Sequence, residues 1–261
     1  MPESLAPSPV RAAQIDALRT RLRDIVDGGR AVAGHLPFGV AAVDERLDGG
    51  GLALAALHEF AGEGGRSGGG PGGEVAAGLF MAGIAARVGA GPVLWVLGRR
   101  DLFAPGVEQA GLPPERVIYA EAGRDADVLA VMEDALGAGA GLSAVIGEVK
   151  RAGTAVTRRL QLAAGQGGTT ALLLRRVRPD IDPFAEPSTA VTRWRLAPAP
   201  SAPLPVDGVG RARWRVTLAR QRGGPGHQWL LEACDETGRI ALPAEPVHGQ
   251  DQAGRAQILA A

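Results

Sequence analysis

Apolar positions recur along this chain with two different periods. Over residues 11–27, Ile15, Leu18, Leu22 and Ile25 fall at i, i+3, i+7 and i+10, with Arg and Asp between them, which predicts an amphipathic helix. The run 52–60 predicts a buried strand and 74–88 a helix that stops at Gly89. From residue 92 short apolar runs alternate with helical segments. Strands are predicted at 92–97 (PVLWVL), 116–120 (RVIYA), 142–149 (LSAVIGEV) and 169–174 (TTALLL), and helices at 104–111, 125–136 and 154–164. Nearly continuous apolar strands alternating with helices argue for an α/β fold with a mostly parallel sheet flanked by helices. Beyond residue 175 the period falls to two. Segments 191–197 (VTRWRLA), 211–219 (RARWRVTLA), 228–234 and 238–242 predict extra C-terminal strands, which either extend the sheet or form a small β appendage. The expected organisation is an N-terminal helix and linker at 1–34, a core at 35–200, a β extension at 201–246 and a tail at 247–261.

Composition changes this picture at three points. Aromatic residues are 4% of the chain, so the core is expected to lean on Leu, Val, Ile and Ala. The single cysteine, Cys234, excludes an intrachain disulfide framework or a cysteine metal cluster. Of 28 basic residues only Lys150 is lysine, so chemistry that needs a lysine has one candidate. No apolar run is long enough to span a membrane and the first residues lack an apolar stretch, so the protein is expected to be cytoplasmic.

The net charge is zero but unevenly spread. Residues 100–148 carry nine acids against three Arg, whereas 150–159 carry Lys150, Arg151, Arg158 and Arg159 and no acid. Residues 175–222 carry ten Arg against four acids. This asymmetry suggests an anionic or acidic partner for the C-terminal half. The basic segments that follow strands 142–149 and 169–174 supply the candidates: Lys150, Arg151, Arg158, Arg159, Arg175, Arg176, Arg178 and Arg193. Trp194 could stack on bases, but its place on an alternating strand reads as a core residue.

The segment 62–74 holds eight Gly in 13 positions between a predicted strand and a predicted helix. There, backbone N–H groups and a helix N-terminus commonly cradle phosphate. The pattern G-x-x-x-x-G-K-[ST] fails in every frame. Starting at Gly64, Gly70 and Pro71 stand where Lys and Ser/Thr belong; starting at Gly65, Pro71 and Gly72; starting at Gly68, Glu74 and Val75. Gly62, Gly64, Gly65, Gly68, Gly73 and Glu74 therefore read as a vestigial phosphate loop, with a carboxylate placed where it suits the helix dipole. His35, His58, His227 and His248 lack metal-ligand spacing, and no nucleophile elbow is present. His58 and Glu59, within a strand, are expected to satisfy backbone or core partners.

These segments resemble the RecA-like recombinase fold and, more closely, the ImuA family of bacterial mutagenesis proteins. The resemblance runs through LPFGVAAVDERLDGGGLALAALHEFAG (36–62), PVLWVLGRRDLFAPGVEQAGLPPERVIYAEA (92–122), LSAVIGEVKRAGTAVTRRLQLAAGQGGTTALLLR (142–175) and DPFAEPSTAVTRWRLAPAP (182–200). It implies a RecA-like sheet whose loop has lost its Lys-Thr pair. The family's catalytic glutamate falls near Arg99 and its strand acid at Gly147, with Glu148 one place on. The resemblance thus implies no cofactor and no catalysis, and a role in damage-induced translesion synthesis. The implied partners are an ImuB-type polymerase-like protein, an error-prone DnaE-type polymerase and single-stranded DNA or a RecA filament. Self-association through Ile15, Leu18, Leu22 and Ile25 is a further expectation, as is association with the nucleoid when DNA is damaged. The alternatives are a RecA-type ATPase with atypical nucleotide contacts and a SulA-like division inhibitor.

Overall fold

The computed structural model describes residues 34–63, 71–138, 141–176, 178, 180–202, 204 and 208–243. The stripe Ile15, Leu18, Leu22 and Ile25, the loop residues Gly64, Gly65, Arg66 and Gly68, and the expected tail lie outside them.

A two-stranded ribbon of β1 (His35–Leu36) and β2 (Leu52–Ala53) encloses the short helix α1 (Ala41–Asp44). The run 52–60 is not one strand. Ala55 takes a left-handed φ of 51° and donates its N–H to Thr170 Oγ1 at 3.1 Å, so pairing restarts at β3 (Leu57–Gly62). Helix α2 (Pro71–Val88) follows, beginning earlier than its apolar pattern because proline suits the first helical turn.

Then come β4 (Val93–Leu97), α3 (Ala104–Gln109), β5 (Val117–Glu121), α4 (Asp125–Gly137), β6 (Ala144–Val149), α5 (Thr154–Gly167) and β7 (Thr170–Arg175). The chain closes with β8 (Thr192–Ala199), β9 (Arg213–Gln221) and β10 (His227–Glu232). The expected strand 238–242 is only an isolated bridge between Glu232 and Ala241.

Strands β3 to β10 form one eight-stranded sheet in the order β10-β9-β8-β3-β7-β6-β4-β5. Strands β3 to β8 are mutually parallel; β9 and β10 are antiparallel additions at one edge. The C-terminal strands thus extend the sheet rather than form an appendage.

Each face of the sheet has its own core. On one, α2 packs against Phe60, Ile146, Leu172, Trp194 and Leu196. The few aromatic residues concentrate there: Phe38 stacks on Phe80 at 5.6 Å, and Phe80 meets Trp194 at 5.9 Å and Trp214 at 6.2 Å. This core therefore leans on rings more than the composition suggested. On the other face α4 and α5 cover Leu57, Val96, Val145, Leu173 and Ala171 with no aromatic ring in the cluster. Because β6 and β7 are buried along their whole length, any charged residue they carry needs an internal partner.

Candidate functional site

The carboxyl ends of β3, β4, β6 and β7 lie side by side, and in open parallel sheets ligands bind at that edge. The ends of the glycine loop arrive there with no space for side chains. A Cβ on Gly62 would stand 2.6 Å from the Glu74 nitrogen, and one on Gly73 would stand 3.1 Å from Leu196 O. Glycine is thus required for the strand end and helix start to meet, as in a phosphate loop. The next residue, Glu74, projects from the first turn of α2.

Around Glu74 a cluster of five charged side chains closes. Arg176, the first residue after β7, is its centre, with a side chain 14% exposed. Its Nη1 donates to Glu148 Oε2 at 2.7 Å, and its two terminal nitrogens grip both oxygens of Asp101 at 2.8 Å. Its Nε donates to Glu74 Oε2 at 3.2 Å. Arg99 adds a second cation, 3.1 Å from Glu74 and 3.5 Å from Asp101. Burial works against the Arg176 charge, but Glu148 and Asp101 outweigh it and hold the guanidinium above its ordinary range. Three carboxylates and two guanidinium groups leave one net negative charge at the mouth.

Register settles which acid of β6 belongs to this mouth. A Cβ on Gly147 would fall 2.1 Å from Met132 Sδ, so position 147 faces α4. Glu148, one residue on, points to the α2 face, where its Oε1 accepts the Trp95 indole N–H at 3.0 Å. An acid is therefore present on the α2 side of the sheet at 148, and both its oxygens are engaged. Arg99, where the resemblance puts the family's glutamate, instead answers the carboxylate of Glu74.

A second charged cluster lies on the opposite face. Glu59 of β3 is fully buried; Arg193 Nε donates to its Oε2 at 2.7 Å, and Arg175 Nη1 lies 3.8 Å from its Oε1. Arg193 also donates to Phe184 O at 3.1 Å and Glu186 O at 2.7 Å, and its guanidinium sits over the Phe184 ring. Arg175 and Arg193 thus do not belong to an exposed basic surface. Their strands are covered on this face and their charge answers Glu59. Arg176 is likewise committed to the mouth.

The other basic candidates separate by partner. Arg159 pairs with Glu133 at 2.9 Å and Arg178 with Asp180 at 3.3 Å. Lys150, Arg151 and Arg158 are exposed, and their side chains meet no acid among the described residues. Lys150 and Arg151 form the turn after β6, held because both backbone N–H groups donate to the Asp125 carboxylate. Arg158 lies one helical turn into α5.

Asp101, Trp95 and Glu59 were not among the candidate site residues. Asp101 had a readable signal, an acid just past the carboxyl end of a parallel strand. Trp194 is a core residue, as its strand pattern implied, donating its indole N–H to Thr192 Oγ1 at 2.6 Å. The Thr192 hydroxyl lies 2.7 Å from His58 Nδ1, and His58 Nε2 donates to Ala53 O at 2.8 Å. Burial pushes His58 down to about 4, which keeps it neutral in this network. Among the described residues no cluster of His, Cys, Asp and Glu suits a metal ion, and no helix is long and apolar enough to cross a membrane.

Fold and charged cluster together define an α/β protein with a mostly parallel eight-stranded sheet, compatible with a RecA-like fold, whose carboxyl edge beside the start of α2 carries its own interlocked acids and arginines. Its sequence is 39% identical over 215 residues to Protein ImuA from each of two strains of Caulobacter vibrioides, a match spanning 79% of this chain and 86% of theirs. The chain belongs to the ImuA family. No protein-family model matches it.

Proposed function

We propose that the chain is a non-catalytic, RecA-like accessory protein of damage-induced translesion DNA synthesis. It works by contact. It holds an ImuB-type polymerase-like protein and an error-prone DnaE-type polymerase, and it offers Lys150, Arg151 and Arg158 to single-stranded DNA, a RecA filament or an acidic surface of those partners. The observation that carries this reading is the mouth. Phosphoryl transfer needs cations and N–H donors aimed at the phosphates. Among the described residues Glu74, Asp101 and Glu148 converge there instead, and both cations beside them, Arg176 and Arg99, are engaged by these acids. The likeness to Protein ImuA supports the mutagenesis setting.

One observation favours a RecA-type ATPase: Glu148 lies on the face of the sheet that carries α2 and Glu74. Titration with ATP and Mg²⁺ while measuring phosphate release separates the two readings. The expected result is no turnover with or without single-stranded DNA. Turnover that disappears in Glu148→Ala would establish the ATPase. Co-purification of the full chain with an ImuB-type partner tests the accessory role, and failure to associate at low salt would remove it.

A further inference from the structure

Strands β7 and β8 flank β3 and run parallel to it, so the chain between them must return from the carboxyl edge of the sheet to its amino edge. Such returns are usually made by a helix. Here the described residues of the return, 180–191, form none. Its far part is held by many bonds. Arg193 grips Phe184 O and Glu186 O, Thr154 Oγ1 donates to Pro187 O at 3.0 Å, Arg220 reaches Ser188 O, and the Thr189 N–H meets Thr157 Oγ1. Its origin is held by Arg176. That residue's backbone N–H donates to Val149 O at 2.8 Å, one position before Lys150, and its side chain enters the mouth.

Glu74, Asp101 and Glu148 come from three separate elements, α2, the turn after β4, and β6. Three carboxylates repel one another unless a cation stands between them. Arg176 reaches all three within 3.2 Å. Where a loop of this kind would hold an anion at a helix N-terminus, the chain thus carries an inverted arrangement, acids on the walls and a cation of its own in the centre.

We infer that Arg176 is a positioning residue that takes the place of a bound ligand: it closes the mouth from within and so fixes the start of the β7–β8 return, and the adjoining Lys150–Arg151 turn, with no ligand required. The inference rests on the non-catalytic reading and deepens it, because it explains how a contact surface beside a phosphate-type loop is kept in one state without nucleotide.

Hydrogen exchange by mass spectrometry on the full chain tests this, following residues 176–182 at the start of the return and 150–153, with β9 and β10 as the internal control. In Arg176→Ala, exchange of the two segments is expected to rise about tenfold or more while the control strands stay protected. Millimolar methylguanidinium should restore protection to that variant, and Arg176→Lys should restore part of it, because a cation refills the space. Wild-type exchange should be the same with and without ATP and Mg²⁺. Unchanged exchange in Arg176→Ala, no recovery with methylguanidinium, or wild-type segments that slow on adding ATP and Mg²⁺ would each overturn the inference. If Arg176→Ala loosens the control strands too, Asp101→Asn, which weakens the exposed arm of the grip and the Arg99 pair beside it, decides. Faster exchange confined to the two segments supports the inference and unchanged exchange defeats it. Failure of the parent reading is seen separately, as wild-type ATP turnover.

Discussion

Replacing Glu59 by Gln removes the only anion from a buried group of three charges. The wild-type cluster holds two guanidinium groups and one carboxylate, a net charge of +1, with Glu59 at 0% exposure, Arg193 at 6% and Arg175 at 3%. Glu59→Gln raises that buried charge to +2 and sets two cations against a neutral amide. Arg193→Ala lowers it to zero and leaves Glu59 facing Arg175 at 3.8 Å. Breaking a buried ion pair by removing one partner costs about 3–5 kcal/mol, because the remaining charge is uncompensated. Glu59→Gln belongs at the upper end of that range. Arg193→Ala belongs at the lower end, since Arg175 remains to answer the carboxylate while the bonds to Phe184 O and Glu186 O are lost. A domain is stable by only about 5–15 kcal/mol, so both variants should shift the urea midpoint strongly. Equilibrium unfolding followed by tryptophan fluorescence measures this. A Glu59→Gln variant within about 1 kcal/mol of wild type would refute the charge argument. So would an Arg193→Ala variant clearly less stable than Glu59→Gln, because tethering of the return would then outweigh charge balance.

Stability should also depend on His58. Its folded value near 4 lies below the unfolded 6.5, so its contribution is complete above pH 6.5 and is lost as pH falls toward 4. The loss amounts to about 3 kcal/mol, and a stability profile flat across that window would exclude the buried neutral ring. Desolvation pushes the half-buried Cys234 thiol up to about 12, so thiol reagents at pH 8 should label it more slowly in the native protein than in urea; equal rates would contradict the raised value. If the exposed basic group binds single-stranded DNA, replacing Lys150, Arg151 and Arg158 together by Ala should weaken binding and reduce the log–log salt slope by about 2. An unchanged slope would remove these residues from the interface. Gly83→Ala would place a Cβ 2.4 Å from Cys234 Sγ, so thermal unfolding should show a lower midpoint despite alanine's better helix propensity; a raised midpoint would show that the contact yields.

The parallel core was legible because strands such as AVIGEV and TALLLR are apolar on both faces, a pattern few other architectures tolerate. Strand and helix ends shifted by one to three residues, with identifiable causes. Helix α5 runs on to Gly167 because Gly168, at φ 68°, supplies the left-handed cap that ends it. The break at Ala55 was not legible, since alanine has no preference for a left-handed backbone and a hydrogen bond to distant Thr170 accompanies it there. The bridge at 241 was read as a strand because Ile240, Ala241 and Leu242 are apolar, whereas the turn ahead of it is shaped by Asp235, which accepts from the Thr237 and Arg239 N–H groups. For the charged residues the error was one of face. Parity correctly set Arg193 opposite Trp194, but on a strand beside the sheet's centre the opposite face is interior too. The readable signal was Glu59: an acid in a buried central strand demands a cation of the same parity on a neighbouring strand, and Arg193 directly opposite meets that demand.

Arg175 and Arg176 show how one dipeptide organises both faces. Successive side chains at a strand end point to opposite sides of the sheet. Arg175 therefore enters the α4–α5 face and joins Glu59 and Arg193 in a cluster of net charge +1. Arg176 enters the α2 face and joins Glu74, Asp101, Glu148 and Arg99 in a cluster of net charge −1. The two excesses are opposite in sign, one on either face of the sheet. The exit of β7 is thereby clamped from both sides at the point where the chain leaves for β8. In a phosphate-loop protein that edge remains open to a ligand. Here Arg176 engages the three acids at that edge, and under the proposal above it supports the adjoining Lys150–Arg151 turn without nucleotide.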